Sequence, residues 1–313
     1  MIKFYLFLSL IVSTVSFSQK AETMKNITSE YTFATHYSKI DNLEIAYVKE
    51  GKGKQTIVFI HGLSSNADAW SRTIESLKGK YTCVALDLPG FGKSSKVASA
   101  YTPTYYAEIV AKLIDKLKLK NVVVAGHSMG GQAAIKLALN YPEKLKKLIL
   151  IAPAGIEQFN VQQALLMKNT LTVDVVSKTT DEQIDRNYRL NFFKLPNEAQ
   201  TMISDRKKIR EAADFPEYCN AIVKSIAGML DDPTQAELKR ILVKTLVIFG
   251  ENDNLIPNKY LNPSLTTALV GTIAQEKIKN STLHFVSESG HFVQFEKPTE
   301  VNRIITTWLE EKS

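Results

Sequence analysis

Short apolar runs and helical apolar patterns alternate along most of the chain. The runs are rich in β-branched residues and predict buried strands. They lie at 56–60 (TIVFI), 82–86 (TCVAL), 121–125 (NVVVA), 147–152 (KLILIA), 244–249 (KTLVIF) and 281–286 (STLHFV). Strands that are apolar on both faces are typical of a parallel sheet covered by helices on both sides. The pattern therefore predicts an α/β protein with a doubly wound core.

Helical patterns separate most of these runs, and a hairpin precedes them. In the segment 103–118, Pro103 suits the first turn of a helix. The apolar residues that fall on one face of this helix are Ile109, Val110, Leu113, Ile114 and Leu117. Closer to the N-terminus, two strand-like segments flank the turn-forming pair Asp41-Asn42, which predicts an antiparallel hairpin.

One long interval interrupts the alternation of strands and helices. About ninety residues between the run ending at Ala152 and the run beginning at Lys244 carry helical apolar stripes and no strong strand. We therefore expect a helical cap at 156–240, inserted in a core formed by 19–155 and 241–313.

The N-terminal segment carries the pattern of an export signal. Lys3 is followed by a 14-residue apolar run, FYLFLSLIVSTVSF, shorter than the roughly 20 residues that span a bilayer. The small residues Ser16 and Ser18 suit a cleavage site before Gln19. We expect residues 1–18 to be a signal peptide, the mature protein to be periplasmic or secreted, and no membrane span to remain. An uncleaved anchor or a buried helix is the alternative.

Composition and charge narrow the class of partner. The chain has 313 residues, 44% of them hydrophobic, and a net charge of +7. Its basic groups at 116–120 and 206–210 alternate with apolar residues as solvated helix faces do, so a nucleic-acid partner is not expected.

The chain has two cysteines, Cys83 and Cys219, which lie far apart in the sequence. A disulfide between them is possible, but we expect both to be buried free thiols.

The segment Ala125 to Gly131 (AGHSMGG) places a serine between a predicted strand and a predicted helix. Gly126 and Gly130 allow the sharp turn that exposes Ser128, and the following helix points its positive N-terminal end at the turn. Ser128 is therefore the candidate nucleophile. A structural turn with a solvated serine is the alternative.

A serine nucleophile needs a base, and the chain has five histidines: His36, His61, His127, His284 and His291. His291 follows the last strand run in a glycine-containing loop, at the sheet edge where catalytic loops gather. His127 adjoins Ser128 on a tight turn, where neighbouring side chains diverge, so we expect a packing role. His36 lies in the hairpin, and His284 lies in an apolar strand, which predicts a core histidine. His291 is the candidate base.

The remaining parts of the site are an acid and two oxyanion donors. Asp253 and Glu251 both follow the strand run at 244–249, and Asp253, further into the loop, is the candidate acid. A turn hydrogen bond is the alternative role for Asp253. The backbone N–H groups of Met129 and Leu63 are the candidate oxyanion donors.

These residues resemble the α/β-hydrolase superfamily, specifically its serine members with a helical cap. The resemblance rests on GHSMG at 126–130, HG at 61–62, DLPGFGKS at 87–94 and the order Ser, Asp, His along the chain. It implies an α/β-hydrolase fold: a mostly parallel eight-stranded sheet flanked by helices, with a cap over the pocket. It further implies hydrolysis through an acyl-enzyme on Ser128 without a metal or an organic cofactor.

The expected activity is hydrolysis of a small-molecule carboxylic ester or a lipid-like ester, as in esterases and lipases. The segment HGLS at 61–64 differs from the HGGG string of hormone-sensitive-lipase-type enzymes, so bulky tertiary-alcohol esters are less expected. It also lacks the HGGPG string usual in proline iminopeptidases. Hydrolysis of a carbon–carbon bond is one alternative, and a ligand-binding protein with slow turnover is another.

Overall fold

Eight strands form one sheet in residues 22–311, the part of the chain that the computed structural model describes. The strands are β1 (Thr35–Ile40), β2 (Leu43–Glu50), β3 (Thr56–Ile60), β4 (Thr82–Leu86), β5 (Val122–His127), β6 (Lys147–Ile151), β7 (Lys244–Gly250) and β8 (Ser281–Val286). Their order across the sheet is β1-β2-β4-β3-β5-β6-β7-β8. β1 pairs antiparallel with β2, and β2 with β4, while all the other pairs are parallel. The predicted hairpin and mostly parallel eight-stranded sheet are confirmed.

Helices cover both faces of the sheet. The described helices are α1 (Met24–Ile27), α2 (Ser71–Leu77), α3 (Pro103–Lys116), α4 (Met129–Asn140), α5 (Val161–Thr170), α6 (Val173–Ser177), α7 (Asp181–Leu190), α8 (Gln200–Lys208), α9 (Phe215–Asp231), α10 (Thr267–Lys277), α11 (Val293–Glu296) and α12 (Pro298–Glu310). Apolar residues of β3 alternate between two clusters: Val58 belongs to the cluster that includes residues of α3 and α4, and Ile57 to the cluster that includes residues of α2 and α12. This alternation is the period of two that a strand buried on both faces requires.

Helices α5 to α9 and the loops that join them, called the cap below, lie between β6 and β7, within the interval where the sequence predicts a cap. α9 is bound directly to the core. The Tyr106 hydroxyl of α3 is 2.7 Å from Ser225 Oγ, and Gln132 Nε2 of α4 donates to the carbonyl oxygens of Met229 and Asp232 at 2.9 Å. These bonds hold one cap helix against the core helices α3 and α4. The domain limits at 155/156 and 240/241 stay predictions.

Both cysteines, Cys83 in β4 and Cys219 in α9, are free and buried. None of the helices within 22–311 is long and apolar enough to cross a membrane. The predicted signal peptide at 1–18 lies outside the described residues and stays a prediction.

Candidate active site

Ser128 lies on a sharp turn between β5 and α4. Its backbone has φ 54° and ψ −121°, a conformation that a residue with a side chain holds only when its surroundings impose it. The main chain is close-packed here: a Cβ on Gly126 would lie 2.3 Å from the carbonyl oxygen of Gly130, and one on Gly130 would lie 2.4 Å from the carbonyl oxygens of Ile60 and His61. The two glycines flanking Ser128 are therefore required by space, as the sequence pattern predicts.

His291 and Asp253 form a buried pair on the loops that follow β8 and β7. His291 Nδ1 lies 2.8 Å from Asp253 Oδ2, and Asp253 Oδ1 accepts backbone N–H bonds from Leu255 at 2.8 Å and Ile256 at 3.0 Å. A carboxylate that accepts from Nδ1–H leaves Nε2 unprotonated and able to take a proton. Glu251, the other candidate acid, is exposed.

His127 connects the turn at Ser128 with the loop of His291. Its Nε2–H donates to the carbonyl oxygen of His291 at 3.0 Å, and the two rings lie 4.8 Å apart between centroids. Burial, and next the neighbouring His291, lower the pKa of His127 well below its usual value, so its ring is neutral. Ser128 Oγ makes no hydrogen bond within the described chain, and the roles of Ser128, His291 and Asp253 as a triad stay predictions.

The candidate oxyanion donors flank the same turn. A Cβ on Gly62 would lie 3.1 Å from Ser128 Cβ, so the loop carrying Leu63 passes directly beside the serine. The N–H groups of Leu63 and Met129 have no hydrogen-bond partner in the described part of the chain. His61 fixes the start of the loop, because its Nε2 accepts from the backbone N–H of Leu88 at 2.9 Å. The oxyanion roles of Leu63 and Met129 stay predictions that this arrangement permits.

A cavity of about 530 Å³ lies between this loop and the cap. Leu63, Ser64 and Phe292 line it from the core side. The cap residues that line it include Tyr188, Phe192, Met202, Arg206, Ile209 and Tyr218. A cavity of this volume is within the range of small-molecule sites. A more open groove of about 930 Å³ is lined by Asp68, Arg72 and Asn302 among others. Ser128, Asp253 and His291 line neither space, but the smaller cavity reaches their neighbours Leu63 and Phe292.

Arg206 is a cavity residue that sequence reasoning missed. The sequence predicts a solvated helix face at 206–210, and for Arg206 that prediction is wrong. Its guanidinium lies 5.4 Å from the ring centroid of Tyr218 and 6.0 Å from that of Phe215, and its Nη1 is buried with no hydrogen-bond partner within 22–311. Nothing in the local pattern distinguishes this arginine from its solvated neighbours, because its partners lie on another helix.

Residues 55–298 match the sequence model of the α/β-hydrolase fold family. The chain belongs to this family. A 2-hydroxy-6-oxononadienedioate/2-hydroxy-6-oxononatrienedioate hydrolase of Pseudomonas putida is 28% identical over 276 residues, which cover 86% of this chain and 92% of that relative. This chain is therefore an α/β hydrolase, and the family resemblance drawn from the sequence is confirmed.

Solved structures show the same fold. A probable hydrolytic enzyme of Pseudomonas aeruginosa superposes with a TM-score of 0.81 at 24% identity, over 93% of this chain and 99% of that one. A bacterial membrane phospholipase A superposes with a TM-score of 0.72 at 26% identity, over 92% of this chain and 87% of that one. Within residues 22–311, no group of three or more His, Cys, Asp or Glu side chains is placed to hold a metal ion.

Proposed function

We propose that this hydrolase cleaves carboxylic esters through an acyl-enzyme on Ser128. The observation that carries the proposal is the buried bond between His291 Nδ1 and Asp253 Oδ2, formed beside a strained turn that presents a serine. In serine hydrolases, such a pair activates a serine hydroxyl that lies within reach of the free imidazole nitrogen. The structural similarity to a phospholipase A, a class of enzyme that cleaves carboxylic esters in phospholipids, supports the proposal.

In the proposed reaction, Ser128 Oγ attacks the ester carbonyl while His291 Nε2 takes its proton. The N–H groups of Leu63 and Met129 stabilise the oxyanion, and Asp253 stabilises the imidazolium. His291 then gives the proton to the departing alcohol, which leaves the acyl group on Ser128. A water molecule, deprotonated by His291, releases the acid and restores the serine.

The test is hydrolysis of p-nitrophenyl esters from acetyl to long-chain acyl by the native protein and by Ser128→Ala. We expect native activity that peaks at one chain length, and a loss of at least about a thousandfold in kcat for the variant. Ser99→Ala is the matched control, because Ser99 is exposed on a surface loop away from the site. Equal activity of Ser128→Ala and the native protein would refute the nucleophile. If the native protein hydrolyses none of the esters, its function is carbon–carbon hydrolysis or ligand binding.

A second candidate function is hydrolysis of a carbon–carbon bond in a substrate that carries a carboxylate. Arg206 favours it, because a half-buried arginine that lines the cavity suits an anionic group on the substrate. The Pseudomonas putida relative is named for a dioate substrate. Both candidates use the same Ser128, His291 and Asp253.

Arg206→Gln separates the two candidates. For carbon–carbon hydrolysis we expect the native protein to consume a 2-hydroxy-6-oxo-dienoate faster than any ester, and Arg206→Gln to lower kcat/KM on it by about tenfold or more through loss of a charge-assisted hydrogen bond. The exposed cap residue Arg189 gives the control Arg189→Gln, which should match the native protein. If the native protein hydrolyses esters but does not consume the dienoate, carbon–carbon hydrolysis is eliminated.

A further inference from the structure

The loop that carries the candidate oxyanion donor Leu63 has few attachments of its own. Within the described chain, residues 63–65 make one hydrogen bond, between Ser64 Oγ and the Tyr218 hydroxyl of cap helix α9. Ser64 also has φ 58°, a left-handed conformation that a non-glycine residue keeps only when its surroundings fix it. The position of the Leu63 N–H therefore depends on a bond that comes from the cap.

Tyr218 is held in place by packing on several sides. Its ring contacts Phe91 edge-on at 6.1 Å and stacks with Phe215 at 6.2 Å, and the guanidinium of Arg206 lies over it. Phe91 in turn packs edge-on against His61, at the start of the same loop. Burial raises the pKa of Tyr218, so its hydroxyl keeps its proton at neutral pH.

Helix α9 is a firm support for this tyrosine because it is packed closely on the core. A Cβ on Gly228 would lie 2.5 Å from the carbonyl oxygen of Tyr101, and one on Gly90 would lie 2.6 Å from Ala221 Cβ. The bond between Tyr106 and Ser225 adds a polar attachment on the same helix. A hydroxyl mounted on such a helix restricts the movement of the loop it contacts.

We propose that Tyr218 is a positioning residue: through Ser64, it holds the loop so that the Leu63 N–H points at the reacting carbonyl oxygen. The cap then supplies part of the oxyanion machinery in addition to the wall of the cavity. This inference rests on the proposed function, because it assumes that Ser128 is the nucleophile. Removal of an oxyanion donor lowers kcat by roughly a hundredfold to a thousandfold. A donor that stays in place but moves more freely should lower kcat by less.

The experiment compares Tyr218→Phe, Ser64→Ala and the double variant with the native protein. The first readout is the rate at which an alkyl fluorophosphonate labels Ser128, which requires the oxyanion hole but no knowledge of the substrate. The second readout is kcat and KM on the best ester. We expect each single variant to lower the labelling rate and kcat by about tenfold with KM within about twofold, and the double variant to resemble the singles because both remove one bond.

Tyr106→Phe is the matched control, since it removes another bond between a tyrosine and a serine hydroxyl that joins α9 to the core, away from the cavity. Tyr106→Phe should lower the thermal midpoint and leave the labelling rate within about twofold of the native value.

Native labelling rates in both Tyr218→Phe and Ser64→Ala would overturn the inference while leaving the proposed function intact. Equal slowing in Tyr106→Phe would also overturn it, because general support by α9 would then explain the effect. If Tyr218→Phe does not fold, Ser64→Ala breaks the same bond from the core side. A native protein that is not labelled at all would remove Ser128 as nucleophile, and both proposals with it.

Discussion

His127 is the last residue of β5 and precedes the candidate nucleophile, yet its ring supports the loop of the candidate base. Its Nε2–H donates to the carbonyl oxygen of His291, and its ring makes a T-shaped contact with the ring of Phe292, with centroids 4.5 Å apart. Its Nδ1 is buried without a hydrogen-bond partner in the described residues. The ring is thus placed as a neutral donor, and a second proton on Nδ1 would be buried with nothing to accept its hydrogen bond.

This burial makes stability depend on pH in the acid range. In the unfolded chain His127 titrates near its usual pKa of about 6.5, whereas burial holds its folded pKa well below that value. The unfolded state therefore binds more protons below about pH 6.5, so the free energy of unfolding falls as the pH drops from 7 to 5. His61 acts in the same direction, since burial also lowers its pKa.

His127→Gln should reduce this pH dependence. We expect the urea midpoint of the native protein to fall more between pH 7 and pH 5 than that of the variant, although the variant is less stable at pH 7 because it packs less well. His36→Gln, at an exposed position in β1, is the control and should follow the native protein. An equal fall in native protein and His127→Gln would show that the buried ring is not the cause.

The positions of some candidate site residues could be predicted from the sequence, and those of others could not. Ser128 and His291 are readable because each lies in a loop directly after a strand run, and Asp253 could be placed ahead of Glu251 by its position along the loop. The expectation that His284 is a core histidine is wrong: it is half-buried, because β8 is an edge strand that its helices cover only in part.

At the scale of elements, the sequence predicts the sheet well because each parallel strand is apolar on both faces. The expected helix at 103–118 corresponds to α3, which begins after the N-cap Thr102 and ends before Lys118, where φ is 51°. In the cap, α5 and α7 begin with capping boxes, a local signal that fixes where a helix starts.

Which face of a cap helix meets the core is not a local property. α5 has no buried residue, so its apolar pattern does not indicate a partner. The bond between Ser64 and Tyr218 joins residues 154 positions apart, and only the folded chain brings them together. The sequence alone does not assign the cavity residues for this reason, whereas the catalytic candidates lie at strand ends that the sheet itself assembles.

At the scale of the whole molecule, the cap and the sheet share one apolar cluster. Buried cap residues, among them Val176, Ile209 and Ile222, belong to the same cluster as Val58 and Leu86 of the central strands. A unit that buries its apolar residues against another loses them to water when the two separate. The cap is therefore expected to unfold together with the sheet, in a single cooperative transition.

The two free cysteines can test this cooperativity, because they report different regions. Cys83 lies in β4 and packs in the cluster on the opposite face of the sheet from the cap, whereas Cys219 lies in α9. Burial raises the pKa of Cys83 to about 12 and also raises that of Cys219, so neither thiol should react in the folded protein at pH 8.

The experiment applies brief iodoacetamide pulses across a urea series and uses peptide mass spectrometry to separate the two sites. We expect the same urea midpoint of labelling at both cysteines. Fully denatured protein supplies the reference extent of reaction at each site. Labelling of Cys219 at clearly lower urea than Cys83 would show that the cap opens while the sheet stays folded, and the oxyanion loop would then lose its cap support before the protein unfolds.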